Sequence, residues 1–256
     1  MANSGSDGGR VRPPPAPAPR RTGPDLVDDV DREAFLEILS HELRTPVTTI
    51  YGGARVLADN DLTPDRRRSL AADVSEEADR LYRVVEDLVI LVRSERGGIR
   101  PVGEPVAIGR LVLAAVARET GQHPDARITV SGERDTAADG ADEVMVNHVI
   151  RNLLDNAVRY GGDGPIEVLL ETAPGEVRVR VIDRGDPPEP DDEPFASWSR
   201  RPATAVRRAG AGIGLYVADR LVRAMGGRTW ARRADRSGAD RSGAEYGFSL
   251  ARTTTP

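Results

Sequence analysis

Ser40-His41-Glu42-Leu43-Arg44-Thr45-Pro46 lies within a run in which Leu36, Leu43, Ile50 and Leu57 recur every seven residues, with Leu39, Val47 and Ala54 at intermediate positions. That period lays a heptad seam along a long helix. With Leu36 at position a, His41 falls at f, facing away from the seam, where a second molecule reaches its imidazole. Glu42 is adjacent and suited to accept the imidazole proton, which leaves the other ring nitrogen free to attack a phosphorus centre. Thr45 lies one turn on, on the same face. Pro46 lacks the N–H that would reach the carbonyl of Glu42, so a bend is expected beside His41. The heptad and a lone histidine suit a second reading equally, a solvated side chain next to an accidental kink.

Beyond this helix, Asn60, Asp61 and Thr63-Pro64 interrupt the pattern, with Thr63 placed as an N-cap and Pro64 at the first helical position. The second helix carries Val74, Leu81 and Leu88 seven apart, flanked by Leu70, Val84, Val85, Leu91 and Val92. Two such helices form a hairpin whose apolar stripe is too broad to stay exposed, and a homodimeric four-helix bundle is the economical way to cover it. Gly97-Gly98 and Pro101 end this hairpin, expected over 29–98, and a separate α/β domain is expected over 103–254. Ahead of the hairpin, 1–28 is a Gly-, Pro-, Ala- and Arg-rich tail with too little apolar surface to order itself.

Within the second domain, 106–117 reads as a short strand leading into a helix, 127–131 as a strand, and 142–160 as a helix. Strands are expected at 166–171 and 176–183, joined at Pro174-Gly175. A helix is expected from Gly210 to Met225, closed by Gly226-Gly227, and strands at 229–233 and 246–251. The stretch 184–213, rich in Pro, Asp and Arg, has no period and reads as a long lid loop. The repeat Asp235-Arg-Ser-Gly-Ala and Asp240-Arg-Ser-Gly-Ala reads as a lengthened turn without chemistry.

Chemistry-bearing residues cluster here too. Asn152 and Asn156 are four apart and share a helix face, with Arg159 and Tyr160 a turn further on. Two amide oxygens on one face suit the shell of a Mg²⁺ whose other ligands are phosphates and water, although such a pair also occurs as a plain polar helix edge. Asp183 ends an apolar strand and is followed by Arg184-Gly185, so a carboxylate is held where it can accept from the exocyclic amine of adenine. Gly210-Ala-Gly212-Ile-Gly214-Leu215 opens a helix, aiming backbone N–H groups and the helix dipole at an anion. The glycines do not follow a strand and no Lys accompanies them, so they make neither a Rossmann nor a Walker signature.

Composition narrows the field. The 256 residues carry 36 basic and 41 acidic side chains, a net charge of -5, and the scattered basic residues disfavour nucleic acid as a partner. With no cysteine there is no disulfide, thiolate zinc site or thiol nucleophile. No run approaches a bilayer-spanning length and no signal-peptide core opens the chain, which makes the cytoplasm the expected compartment.

The ordered set Ser-His41-Glu-Leu-Arg-Thr-Pro, Asn152-Leu-Leu-Asp-Asn156-Ala, Asp183-Arg-Gly185 and Gly210-Ala-Gly212-Ile-Gly214-Leu resembles the catalytic core of a sensor histidine kinase of a two-component system. The resemblance spans about 30 to 253. It implies an α+β protein: a dimerisation and phosphotransfer hairpin, then a two-layer α/β sandwich ATP-binding domain of the histidine kinase/gyrase type, with helices on one face of a mixed sheet. By the same resemblance His41 is the autophosphorylated residue, Glu42 its general base, and Thr45 the residue that orients water when such proteins dephosphorylate their partner. Asn152 and Asn156 resemble the Mg²⁺-associated residues, Arg159 fills a usual basic position, and Tyr160 matches the residue packing near adenine. Asp183 with Gly185 resembles the adenine-reading turn, and Gly210, Gly212, Gly214 and Leu215 the phosphate-side segment. Phe195 and Trp198 occupy the place of the lid's aromatic motif, where they also read as a hydrophobic latch. The implied cofactors are ATP and Mg²⁺, and the implied partners are a second copy and the receiver domain of a response regulator.

Two departures stand out. After Asp183 the family's second glycine is replaced by Asp186-Pro187, which stiffens the start of the lid and brings a negative charge toward the phosphates. Arg184, Arg200, Arg201, Arg207 and Arg208 are placed to offset that charge. Only about 40 residues precede His41, so the stimulus is expected from a sensor or membrane partner outside this sequence. Two rivals remain at this point: a degenerate kinase acting as a nucleotide-binding dimeric scaffold or phosphatase, and an ATPase or serine kinase on the same nucleotide fold.

Overall fold

The computed structural model describes residues 29–58, 62–95, 98–188, 195, 213–234 and 243–252. Helix α1 (Asp29–Leu57) runs unbroken through Pro46. The hydroxyls of Ser40, Thr45, Thr48 and Thr49 donate to the carbonyls of Leu36, His41, Arg44 and Thr45, so this face of the helix is tied to its own backbone on both sides of the proline. Helix α2 (Pro64–Glu95) begins where expected, with the Thr63 hydroxyl accepting from the Arg66 N–H at 3.4 Å. The Arg67 guanidinium donates to the Leu57 carbonyl at 2.9 Å, satisfying an orphan acceptor at the end of α1. The helices pack tightly at Gly53, where an added Cβ would lie 2.4 Å from Val74 Cγ2.

Heptad residues Leu39, Leu43, Ile50 and Leu57 are half-buried inside the hairpin, yet Leu36, Val47, Tyr51, Tyr82, Val85 and Val89 stay exposed. The stripe is therefore wider than one hairpin covers. Another edge of α2 turns inward: Val84 and Leu91 are buried and join the core of the second unit.

That unit runs β1 (Glu104–Ala107), α3 (Ile108–Gln122), β2 (Ile128–Gly132), β3 (Ala137–Ala141), α4 (Glu143–Tyr160), β4 (Ile166–Ala173), β5 (Glu176–Ile182), α5 (Ile213–Ala224), β6 (Arg228–Arg233) and β7 (Ala244–Ala251). Five strands form one sheet in the order β2-β4-β5-β7-β6, parallel between β2 and β4 and antiparallel elsewhere. Period-two alternation builds the core: Val177, Val179 and Val181 pair in register with Leu250, Phe248 and Tyr246, and all six are buried. Opposite them, from α4, come Val146, Val149, Ile150, Leu153, Leu154 and Ala157, and from α5 Val217, Leu221 and Val222. The result is the expected α+β architecture, a helical hairpin followed by helices layered on a mixed sheet.

The sequence reading did not include β3. Its residues Ala-Ala-Asp-Gly-Ala carry no apolar alternation, and Gly140 sits at φ 63°, but β3 pairs antiparallel with β1 as a small second sheet and buries Ala138 and Ala141. The stretch at 244–251 is more central than a terminal strand suggests, since β7 is hydrogen-bonded on both sides.

The sheet's other face holds a charged cluster. Glu245 is fully buried, its carboxylate accepting from Arg180 Nη2 at 2.7 Å, Trp230 Nε1 at 2.8 Å and Arg232 Nε at 2.9 Å. Gly247 makes room for this arrangement, because a Cβ there would lie 2.4 Å from the Trp230 ring.

Candidate functional site

Helix α4 sets the site. Asp142 caps it, its carboxylate accepting from the N–H groups of Val144 and Met145 at 3.0 and 3.1 Å. The helix's apolar face docks on the sheet, which turns His148, Asn152, Asp155, Asn156 and Arg159 toward α2 and α5. One cleft is lined by Asn152, Asn156, Arg159, Tyr160, Gly214 and Leu215, together with Glu42, Arg80, Arg83, Val84 and Asp87 from the hairpin. Seven residues singled out in the sequence, from Glu42 to Leu215, thus meet at the junction of the two units.

The asparagines differ in environment. Asn156 is buried. Asn152 donates from Nδ2 to the Gly214 carbonyl at 2.9 Å and to Asp87 Oδ1 at 3.3 Å. Gly214 permits the first contact by close approach, since a Cβ there would lie 3.3 Å from Asn152 Cγ. Arg159 donates to Asp155 at 2.9 Å, and Asp155 also pairs with Arg83 at 3.3 Å. Burial works against the charge of Arg159, but Asp155 beside it holds its guanidinium above the ordinary value. For Tyr160, burial and then the nearby Glu42 carboxylate push the phenol up.

Asp183 and Gly185 stand beside this cleft, past the C-terminus of α4. The Asp183 carboxylate is buried and accepts from the Gly185 N–H at 2.8 Å. Close packing makes the socket: a Cβ at Gly161 would lie 2.7 Å from Asp183 Cβ, one at Gly185 2.5 Å from the Tyr160 carbonyl, and one at Gly243 2.5 Å from the Asp183 carbonyl. Gly161 and Gly243 had no role in the sequence reading, and Gly243 belongs to the repeat taken as chemically idle. Only the glycine's lack of a side chain in a tight strand end signals such a place.

His41 is exposed on α1, outside the cleft, and the Thr45 hydroxyl donates to its carbonyl at 3.3 Å. The carboxylate of Glu42 accepts from Arg80 Nη2 at 3.2 Å, so in this arrangement it is engaged by α2. The Phe195 ring is buried edge-on against Tyr246, with centroids 6.3 Å apart, as a latch would be. Gly210, Gly212, Trp198 and the arginines 200, 201, 207 and 208 lie outside the described residues.

These residues fit a magnesium nucleotide. Both N–H groups of Asn152 are committed, and no described residue donates to its oxygen. Arg159 Nη2 is buried without a hydrogen-bond partner, an orphaned donor at the cleft that suits a phosphate oxygen. Among the described residues no cluster of His, Asp or Glu forms a metal site of its own. Sequence reasoning gave no role to Arg83 and Asp87 on α2 or to His148 and Asp155 on α4; charged and polar side chains on a helix read as solvated, and nothing local marks these otherwise.

Comparison with known proteins gives a consistent picture. The His Kinase A (phospho-acceptor) domain family matches residues 31–97, and the family of histidine kinase-, DNA gyrase B-, and HSP90-like ATPases matches 141–253. The probable sensor histidine kinase TcrY of Mycobacterium tuberculosis is 32% identical over 198 residues, 75% of this chain and 41% of that protein. Sensor protein TorS of Escherichia coli is 31% identical over 206 residues, 77% of this chain and 22% of that protein. The chain spans less than half the length of these curated relatives. Among solved structures, the histidine kinase AdeS of Acinetobacter baumannii shares the fold with a TM-score of 0.57 at 24% identity, over 82% of this chain and 97% of that one. Full-length ShkA, solved with AMPPNP, gives a TM-score of 0.55 at 26% identity over 86% of this chain and 46% of that one. Two consecutive domain matches in the expected order, carried on the matching fold, show that this chain belongs to the sensor histidine kinases of two-component systems and comprises their catalytic core.

Proposed function

We propose that this chain, with hairpin 29–98 and ATP-binding domain 103–254, transfers the γ-phosphoryl group of ATP to its own His41. From there the group passes to an aspartate in the receiver domain of a response regulator. The observation that carries this reading is the convergence of Asn152, Asn156 and Arg159 on one cleft with Glu42, the residue next to His41. When bound, Mg·ATP supplies the phosphoryl group and neutralises charge on it. Asn152 and Asn156 would hold the metal side, Arg159 a phosphate oxygen, and Asp183 with Gly185 and Tyr160 the base, while Gly210, Gly212, Gly214 and Leu215 would line the phosphate side under the lid at 184–213. The exposed imidazole of His41 is the nucleophile, and its proton goes to the Glu42 carboxylate once that group exchanges Arg80 for His41.

The same hairpin supports two further parts of the reading. Its exposed Leu36, Val47, Tyr51, Tyr82, Val85 and Val89 suit a second copy, giving a homodimeric four-helix bundle. Thr45, one turn from His41, suits a phosphatase role toward the phosphorylated regulator. A sensor or membrane partner would supply the stimulus; no described helix is long and apolar enough to cross a membrane. A second reading, a nucleotide-binding dimeric scaffold or phosphatase without kinase turnover, rests on Asp186-Pro187 at the start of the lid.

The test is incubation of the purified chain with Mg²⁺ and γ-labelled ATP. Kinase activity gives retained label that is acid-labile and base-stable and is absent from His41→Gln. Asn156→Ala is expected to lose label and nucleotide but remain a dimer. Label retained in His41→Gln would sink the histidine assignment, and nucleotide binding without label would favour the scaffold.

A further inference from the structure

The contact between Asp87 and Asn152 crosses from the hairpin to the ATP-binding domain, and nothing in the proposed reaction accounts for it. Asp87 lies on α2 and is buried. Its Oδ1 accepts from Asn152 Nδ2 at 3.3 Å and from His148 Nε2 at 2.6 Å. His148 and Asn152 are one turn apart on α4, so a single carboxylate of the hairpin grips one face of that helix. A carboxylate sealed at such a seam costs free energy unless donors surround it, and these two donors satisfy it.

The consequence lies in the amide of Asn152. A side-chain amide has two N–H donors and one oxygen, and its two ends differ only in chemistry. Here both neighbours, the Asp87 carboxylate and the Gly214 carbonyl, are acceptors only, so both must face the NH₂ end. That leaves Asn152 Oδ1 as the free end, the atom a hard cation requires. Gly214 alone would restrain the amide by one hydrogen bond, whereas two acceptors converging on one nitrogen fix its rotation.

We propose that Asp87 is an interdomain positioning residue: supplied by the phosphotransfer hairpin and braced by His148, it orients Asn152 so that its oxygen is presented to the metal of a bound Mg·ATP. Nucleotide capture by one unit thereby depends on the docking of the other. This rests on the reading of Asn152 as a Mg·ATP residue, and the experiment separates the two.

ATP affinity of the full chain is measured by titration, once with Mg²⁺ and once in EDTA. The wild-type chain is expected to bind more tightly with Mg²⁺. Asp87→Ala is expected to cut that Mg²⁺-dependent gain about tenfold while affinity in EDTA stays within about twofold, in line with the loss on removing a group that orients a metal ligand. A role in docking alone would move both affinities together, and that result overturns the proposal, as does an unchanged or larger Mg²⁺ gain. If Asp87→Ala does not fold, Asp87→Asn carries the test: it keeps the shape and one acceptor oxygen, its Mg²⁺ gain should fall below that of the wild-type chain, and a gain equal to wild type overturns the proposal. Absence of Mg²⁺-dependent ATP binding in the wild-type chain would instead refute the reading of the site itself.

Discussion

Arg83 of α2 and Asp155 of α4 form an ion pair at 3.3 Å across the seam between the hairpin and the ATP-binding domain, and Arg159 shares the same carboxylate at 2.9 Å. Both groups are largely removed from water, so the pair is screened less than a surface ion pair would be. Asp155 thus connects a hairpin cation to the arginine whose orphaned Nη2 lines the cleft.

Docking should therefore weaken when this pair is broken. In a double-mutant cycle of Arg83→Ala and Asp155→Ala, chemical denaturation is expected to give a coupling energy of about 0.5–2 kcal/mol. Amide hydrogen exchange should speed up in α2 around Val84 in either single variant. A coupling of zero would mean that the seam is open in solution.

Gly53 and Val74 face each other between α1 and α2 with no room for a side chain at Gly53. Gly53→Val should destabilise the hairpin by about 1–3 kcal/mol through overpacking. Combining it with Val74→Ala should recover much of that loss in thermal melts, because the methyl groups that collide are then gone. Failure to recover would place the cost elsewhere.

Glu119 on α3 is buried, and burial first, then the charge of Asp155, push its carboxyl above the ordinary value against the pull of Arg83, His123 and Arg151. With the folded value raised, the native state holds a proton that the unfolded chain releases. The stability linked to this group is fully present below the unfolded value and is lost as pH rises through the folded one. Glu119→Gln is uncharged throughout, so it should melt higher than wild type at pH 8 and lose that advantage by about pH 4, measured as Tm across the range.

Glu245 has the opposite sign. Burial raises its carboxyl, but the hydrogen bonds from Arg180, Trp230 and Arg232 outweigh burial and hold it below the ordinary value. Its contribution is present above the unfolded value and is lost as pH falls through the folded one. Glu245→Ala leaves the Trp230 N–H and Arg180 Nη2 without their acceptor, although Arg180 keeps Glu171 at 2.7 Å and Arg232 is mostly exposed, and should cost about 1–3 kcal/mol in urea unfolding at pH 7. The gap from wild type should narrow in acid, and an equal gap at both ends of the range would contradict the assignment.

Much of the molecule was legible in its residues. The seven-residue recurrence of Leu36, Leu43, Ile50 and Leu57 specified α1, and the alternation of Val177, Val179 and Val181 specified β5. Asn152 and Asn156 could be placed on one face because helical spacing is a local property. β3 was not legible, since Ala137–Ala141 has no pattern of its own and forms only because β1 lies beside it. Gly161 and Gly243 gave no hint either, for their importance is the absence of a Cβ next to Asp183.

What the sequence by itself determined is every feature that depends on neighbours a few residues apart: two heptad helices, the order of the strands and helices of the second unit apart from β3, and the residue types of the site. Only the tertiary structure decided that α2 docks on α4 and α5, that Asp87 reaches His148 and Asn152, 61 and 65 positions away, and that Arg80 holds Glu42 from 38 positions away. The reason is physical. Periodicity records which face of an element seeks burial, but a lone carboxylate or arginine on a helix reads as solvated until another segment removes the water and supplies its partner.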